Sequence, residues 1–344
     1  MVTAPGHATD RPSALLGLGT ALPPHELTPE RAREILVDLF PRLGRADLPP
    51  LTRYTVLPVE TGGRTLGEAM EAYRVHAPRL AAEASQRALE EAGVAAPDVD
   101  AVVTASCTGY LVPSLDVHLI RLLGLRRDVR RIPLTELGCS GGLAALGIGH
   151  ELLQARPEGC VLVAAVELPS LNLQPRDRSL DNLTATIVFG DGAGAAVLGG
   201  GRPPAGRLQV DRVATRLVPE STRHLGFDLR DDGFHTVLDP GLARLLERGL
   251  GEVVDSFWPG ARPAFSAVHA GGLRIFDAVE KALGLDPRAL QPSRDVFLRT
   301  GNLSSASILF VLEQIARSEA AGEGLALAFG PGVTVELARL SRAS

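Results

Sequence analysis

The segment Pro133–Gln154, PLTELGCSGGLAALGIGHELLQ, constrains this chain more than any other stretch. An apolar run ends at Leu137, a glycine-flanked Cys139 follows, and apolar residues then recur at roughly 3.6-residue spacing, so a strand, a tight turn and a helix are expected. Gly138, Gly141 and Gly142 leave the backbone around the sulfur bare, which suits close approach by a ligand and is entropically unfavourable if nothing approaches. A thiol at a helix N-terminus meets unpaired N–H groups and the positive end of the helix dipole, and both favour the thiolate. Free cysteine is also a small, commonly buried hydrophobe, so Cys139 acts as a nucleophile only if partners converge on it.

The chain around this segment has an α/β texture. From Asp100 onward, AVVTASC reads as a strand, SLDVHLIRLLG as a helix capped by Ser114, RIPL as a strand, and CVLVAAVEL as another after the Cys139 helix. Near-continuous apolar strands alternating with helices require a sheet covered on both faces. LTATIVFGDGAGAAVLGG reads as two short strands about a glycine turn.

Upstream, residues 1–12 read as a loose polar leader. TPERAREILVDLF reads as a helix with Thr28 as N-cap and Pro29 at its first position, followed by a proline-rich loop carrying Arg45 and Arg53. A helical region over about 67–92 stops at Gly93, with Pro78 expected to break it in two.

GGGRPPAGR, residues 199–207, is the one obvious linker and divides a half at 13–200 from a half at 201–344. The second half repeats the texture: LQVDRVATRLV is a strand, GLARLLERGLGEVVDSF a helix, and AFSAV a buried strand running into His269. SSASILFVLEQIARSE is a helix with Ser304 or Ser305 placed to cap it, and LALAFGPGVTVELARL forms two strands about a Gly-Pro-Gly turn. The halves look like variants of one unit in texture.

Bulk properties exclude several functions. A net charge of −5 without a basic stripe argues against nucleic acid, and no apolar run approaches the ~20 residues of a membrane span. With no secretory leader pattern, a reducing cytoplasm is expected. Three cysteines without a CxxC pair make no disulfide framework, and no histidine pair has the HExxH spacing of a metal site. No Walker loop is present, and GDGAG lacks the surroundings of a dinucleotide fingerprint. Lys281 is the sole lysine, so a phosphate would be gripped by arginine forks.

Cys139 in ELGCSGG, His269 in AVHAGG and Asn302 in GNLSSAS each fall at a strand end or helix start, where open α/β sheets place their sites. A Cys–His pair gives an activated thiolate, and an Asn amide beside it supplies a second donor to an oxyanion. Two rivals use the same stretch. Residues 138–142 also fit G-x-S-x-G, with Ser140 as a hydrolase nucleophile. A cysteine 130 residues before its histidine also suits a papain-like protease, although the C-G-S-C-W signature is absent. His118 and His150 sit in helical patterns as surface or hydrogen-bonded residues, and Cys107 and Cys160 lie on apolar strands and pack.

At these residues the chain resembles the type III polyketide synthases, the chalcone synthase family of the thiolase fold. ELGCSGG, FGDGAGAAV from Phe189, VHAGG, GNLSSAS and FGPGVTVE from Phe329 fall in the family's order over roughly residues 14–342, and CTGYLVPSLD from Cys107 resembles the bacterial branch. The resemblance implies a layered αβαβα fold of two similar halves. It also implies that Cys139 accepts an acyl group from a CoA thioester, while His269 and Asn302 bind malonyl-CoA and stabilise the enolate left by decarboxylation. Phe189 matches an aromatic gate beside the nucleophile, and its purely structural alternative is a buried strand aromatic.

Cys107, Pro169, Asn172 and Ser304 correspond to cavity-lining positions, and a second gate aromatic falls within Phe234–Val237. Arg42, Arg45 and Arg53 are candidates for the CoA tunnel mouth. A homodimer is implied, with Val112 reaching into the partner's cavity; no cofactor or metal beyond CoA thioester substrates is implied. A relative with the same fold, condensing once or transferring acyl groups on a carrier protein, stands as the alternative.

Overall fold

Apolar strands that alternate with helices join into one mixed sheet of nine strands in a computed structural model that describes residues 11–40, 49–59, 62–200 and 205–342. Thirteen strands occur among the described residues: β1 (Ser13–Ala21), β2 (His25–Leu27), β3 (Arg53–Thr55), β4 (Ala101–Ala105), β5 (Arg130–Leu134), β6 (Cys160–Glu167), β7 (Gly192–Gly199), β8 (Gln209–Leu217), β9 (Leu225–Arg230), β10 (Gly233–Leu238), β11 (Phe265–Val268), β12 (Gly322–Gly330) and β13 (Thr334–Arg342). The helices are α1 (Pro29–Leu39), α2 (Leu66–Ala92), α3 (Leu115–Leu123), α4 (Gly141–Ala155), α5 (Leu180–Val188), α6 (Leu242–Phe257), α7 (Leu273–Leu283), α8 (Gln291–Thr300) and α9 (Ser307–Ala316).

The large sheet runs β11-β12-β13-β8-β1-β7-β6-β4-β5. From its middle outward, each side repeats one pairing scheme. β1 and β7 are antiparallel, β7 and β6 antiparallel, β6 and β4 parallel. On the other side β8 and β13 are antiparallel, β13 and β12 antiparallel, β12 and β11 parallel. β1 joins β8 at Ser13↔Val210, and β5 extends one edge. The similarity of texture between the halves is therefore a similarity of topology.

Helices α4 and α9 lie between the two sides: α4 touches β4 and β6 but also β8 and β13, and α9 touches β1 and β7 but also β11. Both are apolar nearly all round, as a helix buried on every face must be. On one outer face α2 lies directly on β1. A Cβ at Gly17 would fall 2.2 Å from the Ala88 carbonyl oxygen, and one at Gly19 2.3 Å from that of Ala84, so only glycine admits so close a helix.

Two expectations are corrected here. α2 runs unbroken through Pro78, between a Thr65–Glu68 capping box and a left-handed Gly93. The proline forfeits one backbone bond. The buried face of Ala77, Pro78, Leu80, Ala81, Ala84 and Ala88, packed in one cluster with strand residues, holds the helix straight on past it. The stretch before Phe189 is helix α5 and not a strand, despite its β-branched residues. Ser179 caps it by accepting from Asn182 N–H, and the Thr184 and Thr186 hydroxyls donate to carbonyls one turn back, which satisfies them inside a helix. Its Leu183 and Ile187 pack on Ile35 and Leu36 of α1. The helix α1 starts as expected, with Thr28 accepting from Arg31 N–H ahead of Pro29. Residues 1–10 of the expected leader and 201–204 of the expected linker lie outside the described residues.

Candidate active site

The turn of Cys139 is shaped by what presses on it. After β5 the chain enters a 3₁₀ turn, Gly138–Ser140, that leads into α4. Gly138 has φ 53°, and a Cβ there would lie 2.5 Å from Pro331 Cδ, so both conformation and space demand glycine. A Cβ at Gly330 would lie 2.2 Å from Ser140 Oγ, and one at Gly142 2.0 Å from the Ser305 carbonyl oxygen. The end of β12 and the 3₁₀ turn Ser304–Ala306 thus clamp the nucleophile from two sides. Ser140 is fully buried and donates its hydroxyl to Leu137 O at 2.8 Å, which removes the hydrolase reading of G-x-S-x-G.

Asn302 follows a left-handed Gly301 and forms a parallel bridge with Phe189. Its N–H donates to Val188 O at 2.7 Å and its carbonyl accepts from Gly190 N–H at 3.1 Å. Its Oδ1 accepts from Ser304 N–H at 2.8 Å, which turns the amide NH₂ toward the sulfur. The polar side chains of Ser304 and Asn302 act on the Cys139 thiol and pull its pKa down. Burial is the larger effect and pushes the thiol up to about 11, so the expected thiolate is not the resting form. The physical reason is desolvation of the sulfur, which outweighs the donors of the helix start.

His269 leaves β11 at the same C-terminal end of the sheet, with its N–H on Leu327 O at 2.8 Å. The ring is 2% exposed, and neither nitrogen has a hydrogen-bond partner. No hydrogen bond therefore joins Cys139 to His269. Burial lowers the imidazole pKa to about 3, so it is neutral at pH 7, with one N–H to donate and one lone pair to accept a proton.

The pocket beside this cluster measures about 850 Å³ including its open mouth. Cys107, Pro169, Asn172, Phe189 and Ser304 line it together with Arg53. Cys107 does more than pack: its sulfur lies 3.4 Å from Ser304 Oγ and 3.4 Å from Glu167 Oε1. Phe189 is half-buried at the C-cap of α5, in the pocket wall and not inside a strand. In the hairpin β9–β10, Phe234 and Thr236 face the pocket. His235 turns the other way, to Asp177 and Asp232. Phe234 stacks on Tyr110 at 5.9 Å and meets Phe227 edge-on at 6.1 Å.

Two further expectations, for Arg53 and for the cap of α9, are corrected. Val112 is 99% exposed and lines no part of this pocket. Arg42 and Arg45 lie outside the described residues. Arg53 is 5% exposed, in the pocket wall, and so has no open face for phosphates at a tunnel mouth. Ser304 and Ser305 do not cap α9. Ser307 Oγ accepts from Leu303 N–H, while Ser305 Oγ donates to Glu167.

Sequence reasoning missed Glu167 and Asp191. Glu167, fully buried at the end of β6, accepts from the N–H groups of Cys107 and Thr108 and from the Thr108 hydroxyl at 2.7 Å. Asp191, also fully buried, accepts from Val56 N–H, Ser170 N–H and the Ser170 hydroxyl at 2.9, 2.9 and 2.6 Å. It fastens two stretches of pocket wall together. The available signal for each was a carboxylate inside or against an apolar strand, which must be satisfied by hydrogen bonds if buried.

Residues 51–203 match the N-terminal domain of the chalcone and stilbene synthases, and residues 209–342 match their C-terminal domain. A 1,3,6,8-tetrahydroxynaphthalene synthase of Streptomyces peucetius is 38% identical over 96% of this chain and 93% of its own. The chain belongs to the chalcone and stilbene synthase family. It is a type III polyketide synthase, an acyltransferase with the thiolase-like fold of that family. A putative chalcone synthase of Bacillus subtilis is 30% identical over 94% of this chain and 97% of its own. The solved tetrahydroxynaphthalene synthase of Streptomyces coelicolor superposes with a TM-score of 0.88 at 31% identity, covering 96% of this chain and 99% of that one. Among the described residues of this synthase, no helix is long and apolar enough to cross a membrane, and no His, Cys, Asp and Glu cluster could hold a metal ion.

Proposed function

We propose that this synthase condenses an acyl-CoA starter with malonyl-CoA through an acyl group held on Cys139. The supporting observation is the influence of Asn302 and Ser304 on the Cys139 thiol, at the same end of the sheet as a buried imidazole with no protein partner, with Ser304 also lining a pocket that can take an acyl chain. The sulfur attacks the thioester carbonyl, its proton passes to the His269 lone pair and from there to the departing CoA sulfur, and CoA leaves as the thiol while the imidazole returns to its neutral form. Malonyl-CoA then loses CO₂, and the electron pair of the broken C–C bond becomes an enolate on the thioester oxygen.

The neutral His269 N–H and the Asn302 NH₂ are the donors to that oxygen. Removing one such donor costs about 3 kcal/mol of barrier in comparable sites. The enolate carbon attacks the acyl carbonyl, expels the Cys139 sulfur and leaves a chain two carbons longer. CoA thioesters are the substrates and no further cofactor takes part. Arg42 and Arg45 remain the proposed phosphate contacts for CoA. The fully exposed Val112 supports a homodimer in which it enters the partner's cavity.

Incubation with malonyl-CoA and a series of acyl-CoAs is expected to release CoA, form pyrones or resorcinols, and leave an acyl adduct on Cys139 by intact-protein mass. Full product formation by Cys139→Ala would overturn the proposal.

A further inference from the structure

Arg53 is a buried cation that meets no carboxylate among the described residues. Its Nη1 donates to Thr186 O, its Nε has no partner, and no ion pair reaches it among the described residues. Among the described residues, the pocket it lines contains no Asp or Glu; its other polar side chains, such as Thr55, Thr108, Asn172, Asn182 and Thr236, are neutral. Burial lowers the guanidinium pKa to about 10, so it stays charged at neutral pH. One carbonyl near the end of α5 is partial compensation for a desolvated charge, whose burial costs several kcal/mol when unpaired.

The stem of the side chain is fixed beside the catalytic residues. A Cβ at Gly301, next to Asn302, would lie 2.9 Å from Arg53 Cγ, and one at Gly190, next to Phe189, 3.3 Å from Arg53 Cβ. An anion that pairs with Arg53 would therefore arrive with the ligand, close to the acyl group.

We propose that Arg53 recognises a negatively charged oxygen on the acyl chain carried by Cys139, either a carboxylate at its far end or the enolate of a 1,3-dicarbonyl unit within it. This rests on the synthase reading above. The carboxylate of the malonyl extender is not the ligand, because a guanidinium bound there would hold back the electrons that must leave it as CO₂ departs. A planar fork suits either source, since both present two oxygens in one plane.

The test uses N-acetylcysteamine thioesters, which lack the phosphates of CoA, and follows acylation of Cys139 by intact mass. Hexanoyl, mono-adipoyl and 3-oxohexanoyl thioesters share a chain length and differ in charge and acidity. In Arg53→Met, hexanoyl transfer is expected to stay within about twofold of the parent, while one or both of the other two falls about 10- to 100-fold, the range for losing a hydrogen bond to a charged group. The acyl group affected names the source of the anion. Arg53→Lys, which keeps the charge without the fork, should recover part of the loss and guards against a misfolded Met variant.

Equal loss for all three thioesters would reduce Arg53 to a fastening for α5 and overturn the proposal, as would no loss at all. Failure of the synthase reading shows separately, as no adduct on the parent enzyme. Calorimetric binding of adipate and of acetylacetone, which needs no chemistry, then decides Arg53 by itself: equal affinity in parent and Arg53→Met for both compounds overturns it.

Discussion

Adding one methyl group at Gly142 tests how tightly the active site depends on backbone contact. The new Cβ would lie 2.0 Å from the Ser305 carbonyl oxygen and 3.0 Å from Ile308 Cγ2, where ordinary contact begins at 3.4 Å. An opening of about 1.4 Å must be found, and it must come from backbone, because the closest atom is a main-chain oxygen. That backbone carries Ser304 and follows Asn302, the two side chains that lower the pKa of the Cys139 thiol.

Overpacking of this kind costs about 1–3 kcal/mol, and a shift of about 1 Å in positioned groups can cost about 100-fold in rate. Gly147 on the same helix is the control, since a Cβ there meets nothing closer than Val213 Cβ at 3.6 Å. Gly142→Ala should therefore melt earlier and lose about 100-fold in condensation rate. Gly147→Ala should be unchanged or more stable by about 0.5–1 kcal/mol, the usual gain when alanine replaces a helical glycine, with full activity. Thermal melts and CoA release measured on both variants decide it. Parental activity in Gly142→Ala would refute the view that helix contact positions the donors.

Asn302→Ala should still form the acyl adduct on Cys139, but condensation should fall about 10²- to 10³-fold, as expected for one lost oxyanion donor; an unchanged condensation rate would contradict that role. Burial holds the Asp191 carboxyl at about 6, above its usual 3.8, so the folded state binds its proton more tightly than the unfolded chain. Its pH-dependent contribution to stability is complete below about 3.8 and is lost as pH rises through about 6, so urea unfolding of Asp191→Asn should show a shallower pH dependence over that interval. A slope identical to the parent's would contradict the burial of this group.

Local chemistry that acts through the backbone was legible in the sequence. Thr28 with Pro29 started a helix, Gly93 ended one, and the glycines around Cys139 marked a turn under pressure from its neighbours. Tertiary context hid the rest. Pro78 stops a helix only when nothing else holds it, and α2 is held along its buried face. The β-branched run before Phe189 satisfied its hydroxyls within a helix that closes over the pocket. Cys139, Asn302 and Ser304 could be named from motifs, yet the thiol's ionisation could not, because desolvation depends on what surrounds it. Glu167 and Arg53 looked like ordinary strand and loop residues until burial showed that one is satisfied by Ser106, Cys107, Thr108 and Ser305 and the other by a single carbonyl.

The clamp on the Cys139 turn also bears on how the enzyme is made. Gly330, at the end of β12, meets Ser140 from 190 residues further along the chain. During synthesis the cysteine leaves the ribosome long before that strand exists. A growing polypeptide therefore exposes its reactive sulfur without the contact that shapes it, and capacity for chemistry is gained in a late step of maturation, when β12 docks.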